Sequence, residues 1–281
     1  MTMRNGAKDL IRAALDEDIG HGDITSSLII GDEDASAMII AKEAFVLAGM
    51  PFVKDVFEII GGPGGHVKID VCFAEGAHIK KGNILARLFG HAKDLLAGER
   101  VALNILQRLS GIATAAASFV EKVKDLPVRI VDTRKTTPGM RLLEKYAVAT
   151  GGASNHRFGL YDGILIKDNH IKIAGGVKEA ALLAQKAHHL LKIEIEVGDM
   201  TELKEALDAG ADVVMLDNMS VEDMRKAVKY SRSHNENVVI EASGNVNLRN
   251  VRAIAETGVD IISVGALTHS ARAVDLSMKI T

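Results

Sequence analysis

The stretch KIEIEVGDMTELKEALDAGADVVMLDNM, Lys192 to Met219, decides the fold. It begins with an apolar run, continues with a segment of helical periodicity, and ends with a second apolar run that finishes in an aspartate. Apolar runs separated by single helices are typical of parallel strands that are covered on both faces. The stretch therefore predicts one strand–helix–strand unit of a parallel α/β fold.

The same unit recurs through the second half of the chain. From residue 128 onward the apolar runs are VRIVDTRK, GILIKDNH, KIEIEVGD, DVVMLDNM, NVVIEASG and DIISVGAL, and helical segments separate them. This recurrence predicts an α/β class of fold, either a parallel α/β barrel or a doubly wound sheet.

The first part of the chain mixes short helices and strands. LIRAALDEDIG predicts an amphipathic helix that ends at Gly20, and PFVKDVFEII predicts another helix. The predicted strands are SAMIIAKEA, GHVKIDVCFAEG and NILARLFG. GGPGG at Gly61 to Gly65 predicts a turn, because no Lys-Ser/Thr pair follows it as in a phosphate-binding loop.

LAGERVALNILQRLSG predicts a long helix that follows these elements. Val101, Ile105 and Leu109 recur at four-residue steps, while Arg100 and Asn104 lie on the opposite, polar face. Periodicity alone therefore predicts that Arg100 is a solvated surface arginine.

Composition narrows the class of protein. The chain has 281 residues, of which 47% are apolar and 25% charged, and its formal net charge is −3, so no general basic field for nucleic acid exists. The single cysteine, Cys72, is predicted to be a small buried hydrophobe, and the lack of a disulfide partner fits a reducing cytoplasm. The N-terminal segment lacks the apolar region of a signal peptide, and no uncharged apolar run approaches the roughly 18 residues that span a membrane.

The ends of the apolar runs carry the chemistry. The runs finish at Asp132, Lys167, Glu196, Asp217, Glu241 and Gly265. Because the carboxyl ends of parallel strands converge on one rim, residues far apart in the sequence are predicted to meet in one pocket.

That pocket is predicted to have two charged halves and a backbone cradle. The cationic half comprises Arg134, Lys135, His156, Arg157 and Lys167. Arginines bind carboxylates and phosphates through paired hydrogen bonds, whereas Glu196 and Asp217 suit Mg²⁺ or a developing cation. The glycine-containing ends Ala242-Ser243-Gly244 and Val264-Gly265-Ala266 suit a phosphate.

Structural interpretations of the same residues stay open. Arg134 or Lys135 taken alone is also explained as a surface loop residue, and His156-Arg157 as part of a plain turn. Thr137 and Pro138 form a good helix start, with Thr137 as N-cap and Pro138 at the first position. Arg141 and Glu144 are explained as a pair on a helix surface.

Several long motifs resemble one known family. They are EDIGHGDIT, GERVALNILQRLSGIAT, DTRKTTPGMRLLEKYAV, GGASNHRFGLYDGILIKDNHI, EIEV, VVMLDNM, IEASGN and ISVGALTHSA. The chain resembles the carboxylating nicotinate-nucleotide diphosphorylase family, also called quinolinate phosphoribosyltransferase, nearly from end to end. The resemblance implies transfer of phosphoribose from phosphoribosyl diphosphate to quinolinate with Mg²⁺, which gives nicotinate mononucleotide, diphosphate and CO₂ in de novo NAD biosynthesis.

The resemblance also implies roles for residues. The implied catalytic residues are Lys135, Lys167, Glu196 and Asp217. The implied substrate-binding residues are Arg100, Thr133, Arg134, Lys135, His156, Arg157, Lys167, Glu196, Asp217, Ser243, Gly244, Asn245, Val264, Gly265 and Ala266. Arg100 would come from a neighbouring subunit, which replaces its surface interpretation. The resemblance further implies that no protein ligand would bind the metal directly and that Mg²⁺ would lie near Glu196 and Asp217, reached through the substrate.

The architecture implied by the resemblance is an incomplete parallel α/β barrel of about six strands, TIM-like, with an N-terminal α/β sandwich domain. The expected bounds are 1–110 for the sandwich, joined by 270–281, and 111–269 for the barrel. The expected assembly is a cytoplasmic homodimer with a shared active site, or a hexamer of such dimers, without nucleic-acid or membrane partners. The loop Ala149 to Ser154 departs from the family, which more often has a cysteine and an extra glycine there.

Three alternatives remain at the level of the sequence. Molybdenum-transport-associated paralogues share the GG…HR…GL pattern but lack LIKDNH, which this chain keeps. A Schiff-base aldolase would use Lys167 as a nucleophile and would be trapped by borohydride. A phosphate-ligand sensor would bind phosphoribosyl diphosphate without releasing diphosphate.

Overall fold

The structure is a computed structural model that describes residues 3–62 and 67–281, with the side chains of residues 3–5 left out of the description. The predicted turn at Gly61 to Gly65 therefore lies partly outside the described residues. The helices are α1 (Met3–Ile19), α2 (Ile24–Ile29), α3 (Met50–Gly61), α4 (Ala92–Val123), α5 (Arg141–Thr150), α6 (Asp168–Ala174), α7 (Val177–Ala184), α8 (Met200–Asp208), α9 (Val221–His234), α10 (Val251–Ala255) and α11 (Ala266–His269). The strands are β1 (Asp34–Ala41), β2 (Phe45–Val46), β3 (Lys68–Val71), β4 (His78–Ile79), β5 (Ile84–His91), β6 (Arg129–Val131), β7 (Ile164–Ile166), β8 (Ile193–Val197), β9 (Val213–Asp217), β10 (Val239–Ser243), β11 (Ile261–Ser263) and β12 (Leu276–Ile280).

The chain divides into two compact units. The first comprises Met1–Ala117, Thr136–Gly152 and Ser270–Thr281, and the second comprises Ser118–Lys135 and Ala153–His269. The predicted domain bounds at 110 and 269 remain a prediction, since a compact unit is not the same as a domain. No helix in the described part of the chain is both long enough and apolar enough to cross a bilayer.

The first unit is built on a four-stranded antiparallel sheet in the order β12-β1-β5-β3. Strand β1 lies between β12 and β5. Its residues alternate between buried and more exposed, with Ala37, Ile39 and Ala41 in the core. This is the period-two pattern of a strand with one buried face. The predicted strands of this part are thus confirmed, and the predicted long helix is α4.

One prediction in this unit is wrong. Cys72 is exposed rather than buried. It follows β3, an edge strand whose residues alternate between exposed and half-buried, and its Sγ lies 3.5 Å from the Nη1 donor of Arg87. Alternation places Cys72 on the same face as the exposed Lys68 and Asp70, opposite the half-buried Ile69 and Val71.

The second unit is an open six-stranded parallel sheet in the order β6-β11-β10-β9-β8-β7. Strands β7 to β11 lie beside each other in chain order, and helices α7 to α10 connect them. A doubly wound sheet would reverse its strand order at a switch point, whereas winding in one direction is typical of a barrel. With six strands rather than eight, the barrel is incomplete, which confirms the fold class.

The core of this sheet consists of aliphatic side chains. Ile195, Val214, Leu216, Ile240 and Ile262 are fully buried. Burial of each such side chain stabilises the fold by roughly 1.5–3 kcal/mol. Such a core fixes the strands, so the residues at their carboxyl ends occupy defined positions.

The predicted helix start at Thr137 and Pro138 is wrong. Helix α5 begins at Arg141, and residues 137–140 form a turn in which the Met140 N–H donates to the Thr137 carbonyl at 3.0 Å. Gly139 has a φ of +80°, which a right-handed helix does not allow and a type II turn requires after proline.

The alternative surface pair of Arg141 and Glu144 is also not formed. Glu144 is fully buried and accepts from Arg108 and from the Thr137 N–H, while the Arg141 Nε donates to the Thr136 hydroxyl.

Candidate active site

A single cavity of about 520 Å³ in the second unit collects most of the predicted site residues. Its lining residues are Thr133, Arg134, Lys135, His156, Arg157, Leu165, Lys167, Glu196, Met215, Asp217, Asn218, Glu241, Ser243, Gly244, Asn245 and Ser263. The cavity lies at the carboxyl ends of the parallel strands, where sites of α/β barrels are found.

The strands position these residues through their register. Asp217 at the end of β9 pairs with Ser243 at the end of β10, and Glu196 in β8 pairs with Met215 in β9. Lys167 directly follows β7. Residues on neighbouring strands that pair in this way point to the same face, so opposite charges from four strands meet around one space.

The cationic half of the cavity is held from several sides. The Arg157 Nη1 donates to the Gly163 carbonyl at 2.8 Å, and the Lys135 carbonyl accepts from the Thr268 hydroxyl at 2.8 Å. Burial and the neighbouring Arg134 guanidinium lower the pKa of Arg157. Since arginine stays charged, this shift records first the cost of burying the Arg157 guanidinium and then its repulsion by Arg134, and a bound anion would offset both.

The acidic half contains Glu196 and Asp217. The Glu196 Oε2 lies 3.3 Å from the Lys167 Nζ, and the Asp217 Oδ2 accepts from the Asn218 side chain at 2.8 Å. Both carboxylates are only half-buried. Hard oxygen donors of this type fit Mg²⁺ and ribose hydroxyls.

Two asparagines shape the loops beyond β9 and β10. Asn218 and Asn245 have left-handed backbones, with φ of 55° and 49°, and the Asn245 Nδ2 donates to the Asn218 Oδ1 at 2.9 Å. A Cβ on Gly244 would lie 2.3 Å from that same Oδ1. Glycine is therefore required at 244, both by its φ of 91° and by the close approach of Asn218.

His156 is joined to two glutamates on the inner face of the sheet. Its Nε2 lies 3.3 Å from Glu194 and 3.5 Å from Glu241, and its backbone N–H donates to the buried Asp132 carboxylate at 2.9 Å. Burial lowers the pKa of His156, but the hydrogen bonds and charges of the two glutamates together raise it to about 10. Burial also raises the pKa of Glu194, and the charge of Glu241 adds to this. His156 and Glu194 therefore titrate as a coupled pair rather than separately.

Four predicted residues do not line the cavity. Arg100 lies in the first unit on α4, where its side chain is 57% exposed. Val264 is buried and its N–H donates to the Val131 carbonyl at 2.9 Å, so this amide is already paired within the sheet and is not available to a phosphate. Gly265 lies beside the Lys135 side chain, and Ala266 begins α11.

Six residues in or behind the cavity were not predicted from the sequence as parts of the site. They are Leu165, Asn218, Met215, Glu241, Ser263 and, behind the cavity, Glu194. The signal for Glu194 was the alternation IEIEV, which places it on the same strand face as Glu196. Glu241 was noted as a strand end but given no role, and it shares a face with Ser243 by the same alternation.

The fold and the cavity define an α/β-barrel enzyme with its site at the carboxyl ends of the strands. Family models identify it further: the one described as quinolinate phosphoribosyl transferase, C-terminal domain, matches residues 112–279, and the corresponding N-terminal domain matches residues 23–110. The chain belongs to the quinolinate phosphoribosyl transferase family.

Known relatives agree with this membership. The chain is 45% identical to the probable nicotinate-nucleotide pyrophosphorylase [carboxylating] of Bacillus subtilis over 98% of this chain and 93% of that protein. It is 40% identical to the enzyme of the same name from Rattus norvegicus over 91% of this chain and 85% of that protein. The nicotinate-nucleotide pyrophosphorylase structure from Francisella tularensis superposes with a TM-score of 0.92 at 40% identity, covering 99% of this chain and 96% of that one.

Proposed function

We propose that the protein is a decarboxylating quinolinate phosphoribosyltransferase. It transfers phosphoribose from phosphoribosyl diphosphate to the ring nitrogen of quinolinate and forms nicotinate mononucleotide, diphosphate and CO₂. The observation that carries this proposal is the cavity in which Arg134, Arg157 and Lys167 face Glu196 and Asp217. Membership of the quinolinate phosphoribosyl transferase family supports the same reaction.

The cationic half binds the dicarboxylate. Arg157 is partly buried beside the Arg134 guanidinium, so two carboxylates placed between them gain charge-assisted hydrogen bonds and offset both the burial and the repulsion. Lys167 adds a third positive charge at the end of β7. His156 lies against this half of the cavity and belongs to the same subsite.

The acidic half receives the sugar. Lys135 and Lys167 bind the phosphate groups, while Glu196 and Asp217 accept hydrogen bonds from the ribose hydroxyls. Glu196 and Asp217 would hold Mg²⁺ through the substrate, and the ion would supply positive charge to offset that of the leaving diphosphate. The two carboxylates stabilise the positive charge that develops on the anomeric carbon as its bond to diphosphate breaks.

The 5′-phosphate is held by the loops after the last strands. Ser243 to Asn245, together with Gly265 and Ala266, supply backbone N–H groups, while the Val264 amide is excluded because it is paired within the sheet. After transfer, the carboxylate adjacent to the ring nitrogen departs as CO₂, the quaternised nitrogen stabilises the carbanion left on that ring carbon, and a proton from water then binds there. Much of the catalysis is therefore positioning of the two substrates.

A dimer with a shared active site completes this arrangement. Arg100 is exposed on α4 and is proposed to reach the dicarboxylate subsite of a neighbouring subunit, in a dimer or a hexamer of dimers. A cytoplasmic location fits the lone, exposed cysteine and belongs to the same proposal.

The reaction is tested with purified protein, quinolinate, phosphoribosyl diphosphate and Mg²⁺, with product separated by chromatography. Nicotinate mononucleotide, diphosphate and CO₂ are expected in equal amounts. Nicotinate in place of quinolinate is the control, because it lacks the second carboxylate. Absence of product, or product from nicotinate alone, would contradict the proposal.

A further inference from the structure

The two glutamates around His156 have no role in the proposed reaction, although their burial is costly. Glu194 is 8% and Glu241 is 1% exposed. In each, the Oε1 atom has no hydrogen-bond partner among the described residues, while the Oε2 atom faces the His156 Nε2. Two carboxylates kept out of water beside an arginine-rich cavity need a function that offsets this cost.

The other ring nitrogen of His156, Nδ1, links the two glutamates to the backbone of Arg157. The backbone N–H of Arg157 donates to the His156 Nδ1 at 2.8 Å. A ring nitrogen that accepts a hydrogen bond carries no proton, so the ring proton is on Nε2 and points toward Glu194 and Glu241. Nδ1 is therefore the ring atom that holds the Arg157 backbone, and Nε2 is the ring atom that the glutamates hold.

This tautomer also decides against a metal ion at the same place. The ligand atoms of His156, Glu194 and Glu241 lie within 4.8 Å of one another, which is compact enough for a metal. A metal on Nε2 would require Nδ1 to carry the proton, and the Arg157 N–H occupies that position. His156, Glu194 and Glu241 therefore form a hydrogen-bonded cluster rather than a metal site.

We propose that Glu194 and Glu241 are positioning residues that orient the His156 ring, so that Nδ1 fixes the Arg157 backbone and aims its guanidinium at the dicarboxylate. Arg157 is then held at both ends, since its Nη1 donates to the Gly163 carbonyl at 2.8 Å. The inference rests on the proposed function, in which Arg157 binds a carboxylate of quinolinate.

Glu241→Gln tests this inference, because it keeps the size of the side chain and removes its charge. The KM for quinolinate is expected to rise about tenfold, which corresponds to about 1.4 kcal/mol. The kcat at saturating quinolinate and the KM for phosphoribosyl diphosphate should each stay within about twofold, because the sugar subsite does not depend on Arg157. Glu256→Gln, at an exposed glutamate of the same unit, is the matched control. An equal rise of both KM values would overturn the inference.

Two His156 variants separate the two ring nitrogens. His156→Asn keeps an acceptor near Nδ1, and His156→Gln keeps a donor near Nε2. The His156→Asn variant is expected to have a lower KM for quinolinate than the His156→Gln variant, because it keeps the acceptor for the Arg157 N–H. Adding Glu241→Gln to His156→Asn should raise that KM no further, because the glutamate acts through the ring. Additive effects of the two substitutions would contradict action through His156.

A spectroscopic measurement on the unmodified protein tests the inference even if the variants fail to fold. Nuclear magnetic resonance of ¹⁵N-labelled histidine rings should show His156 with an unprotonated Nδ1 and a protonated Nε2, and a protonated Nδ1 would overturn the inference. The protonation state of the His156 ring does not depend on turnover. The dissociation constant of quinolinate, measured without the sugar substrate, does not depend on turnover either. Lack of product formation by the unmodified enzyme would therefore refute the proposed reaction and leave the positioning test readable.

Discussion

Individual residues with strained backbones lie at the cavity. Asn218 and Asn245 are the non-glycine residues with positive φ among those described, and both line the cavity. Such conformations cost about 1–3 kcal/mol each and persist where the surrounding structure requires them. Here they bring Asn218 close to the Asp217 carboxylate and to the loop at Gly244.

Gly244→Ala is expected to impair sugar binding. The new Cβ would collide with the Asn218 side chain, so the loop would have to move away from Asp217. We expect the KM for phosphoribosyl diphosphate to rise at least tenfold. Gly82→Ala is the control, because Gly82 has nearly the same φ, 88° against 91°, and open space at its Cβ. Similar kinetics for both variants would show that the collision is unimportant.

Arg134→Ala is expected to weaken quinolinate binding far more than phosphoribosyl diphosphate binding. A hydrogen bond to a charged group contributes about 1.5–3 kcal/mol, so the dissociation constant of quinolinate should rise by roughly 10- to 150-fold. Titration calorimetry with each ligand measures the difference. Arg129→Ala, at the opposite end of β6, is the control. Equal losses for both ligands would contradict the assignment of Arg134.

At the scale of the element, the strands and their ends could be predicted from the sequence, because apolar runs and their terminal polar residues are local patterns. Lys167, Glu196 and Asp217 were found in this way. Glu194 was not, because a carboxylate within a buried strand is explained only by its contact with His156, 38 positions earlier in the chain. Contacts of this kind leave no local pattern.

Glu144→Gln is expected to destabilise the first unit. The buried Glu144 carboxylate accepts from Arg108 at 2.8 Å and 3.2 Å and from the Thr137 N–H at 3.1 Å. The amide would turn a donor toward these donors, and we expect a loss of about 2–4 kcal/mol in the free energy of unfolding. Chemical denaturation measures it, with Glu121→Gln on the exposed part of α4 as the control. A loss no larger than that of the control would contradict the role of Glu144.

The proposed sharing of the active site between two subunits is tested at the scale of the whole molecule. Arg100→Ala and Lys167→Ala are each expected to be inactive. In mixed dimers one site regains both residues, so an equimolar mixture under subunit exchange should recover about a quarter of the unmodified activity. The steady-state rate of the mixture measures this, and each variant alone is the control. No recovery under conditions of proven exchange would count against a shared site.

The crystal structure of the protein with quinolinate alone tests the central claim most directly, because no reaction occurs without the sugar substrate. We expect the ring in the cavity, with its carboxylates within hydrogen-bond distance of Arg134 and Arg157 and its nitrogen directed toward the side of Glu196 and Asp217. Quinolinate bound elsewhere on the protein, or an empty cavity at saturating quinolinate, would contradict the claim that the strand ends form one site.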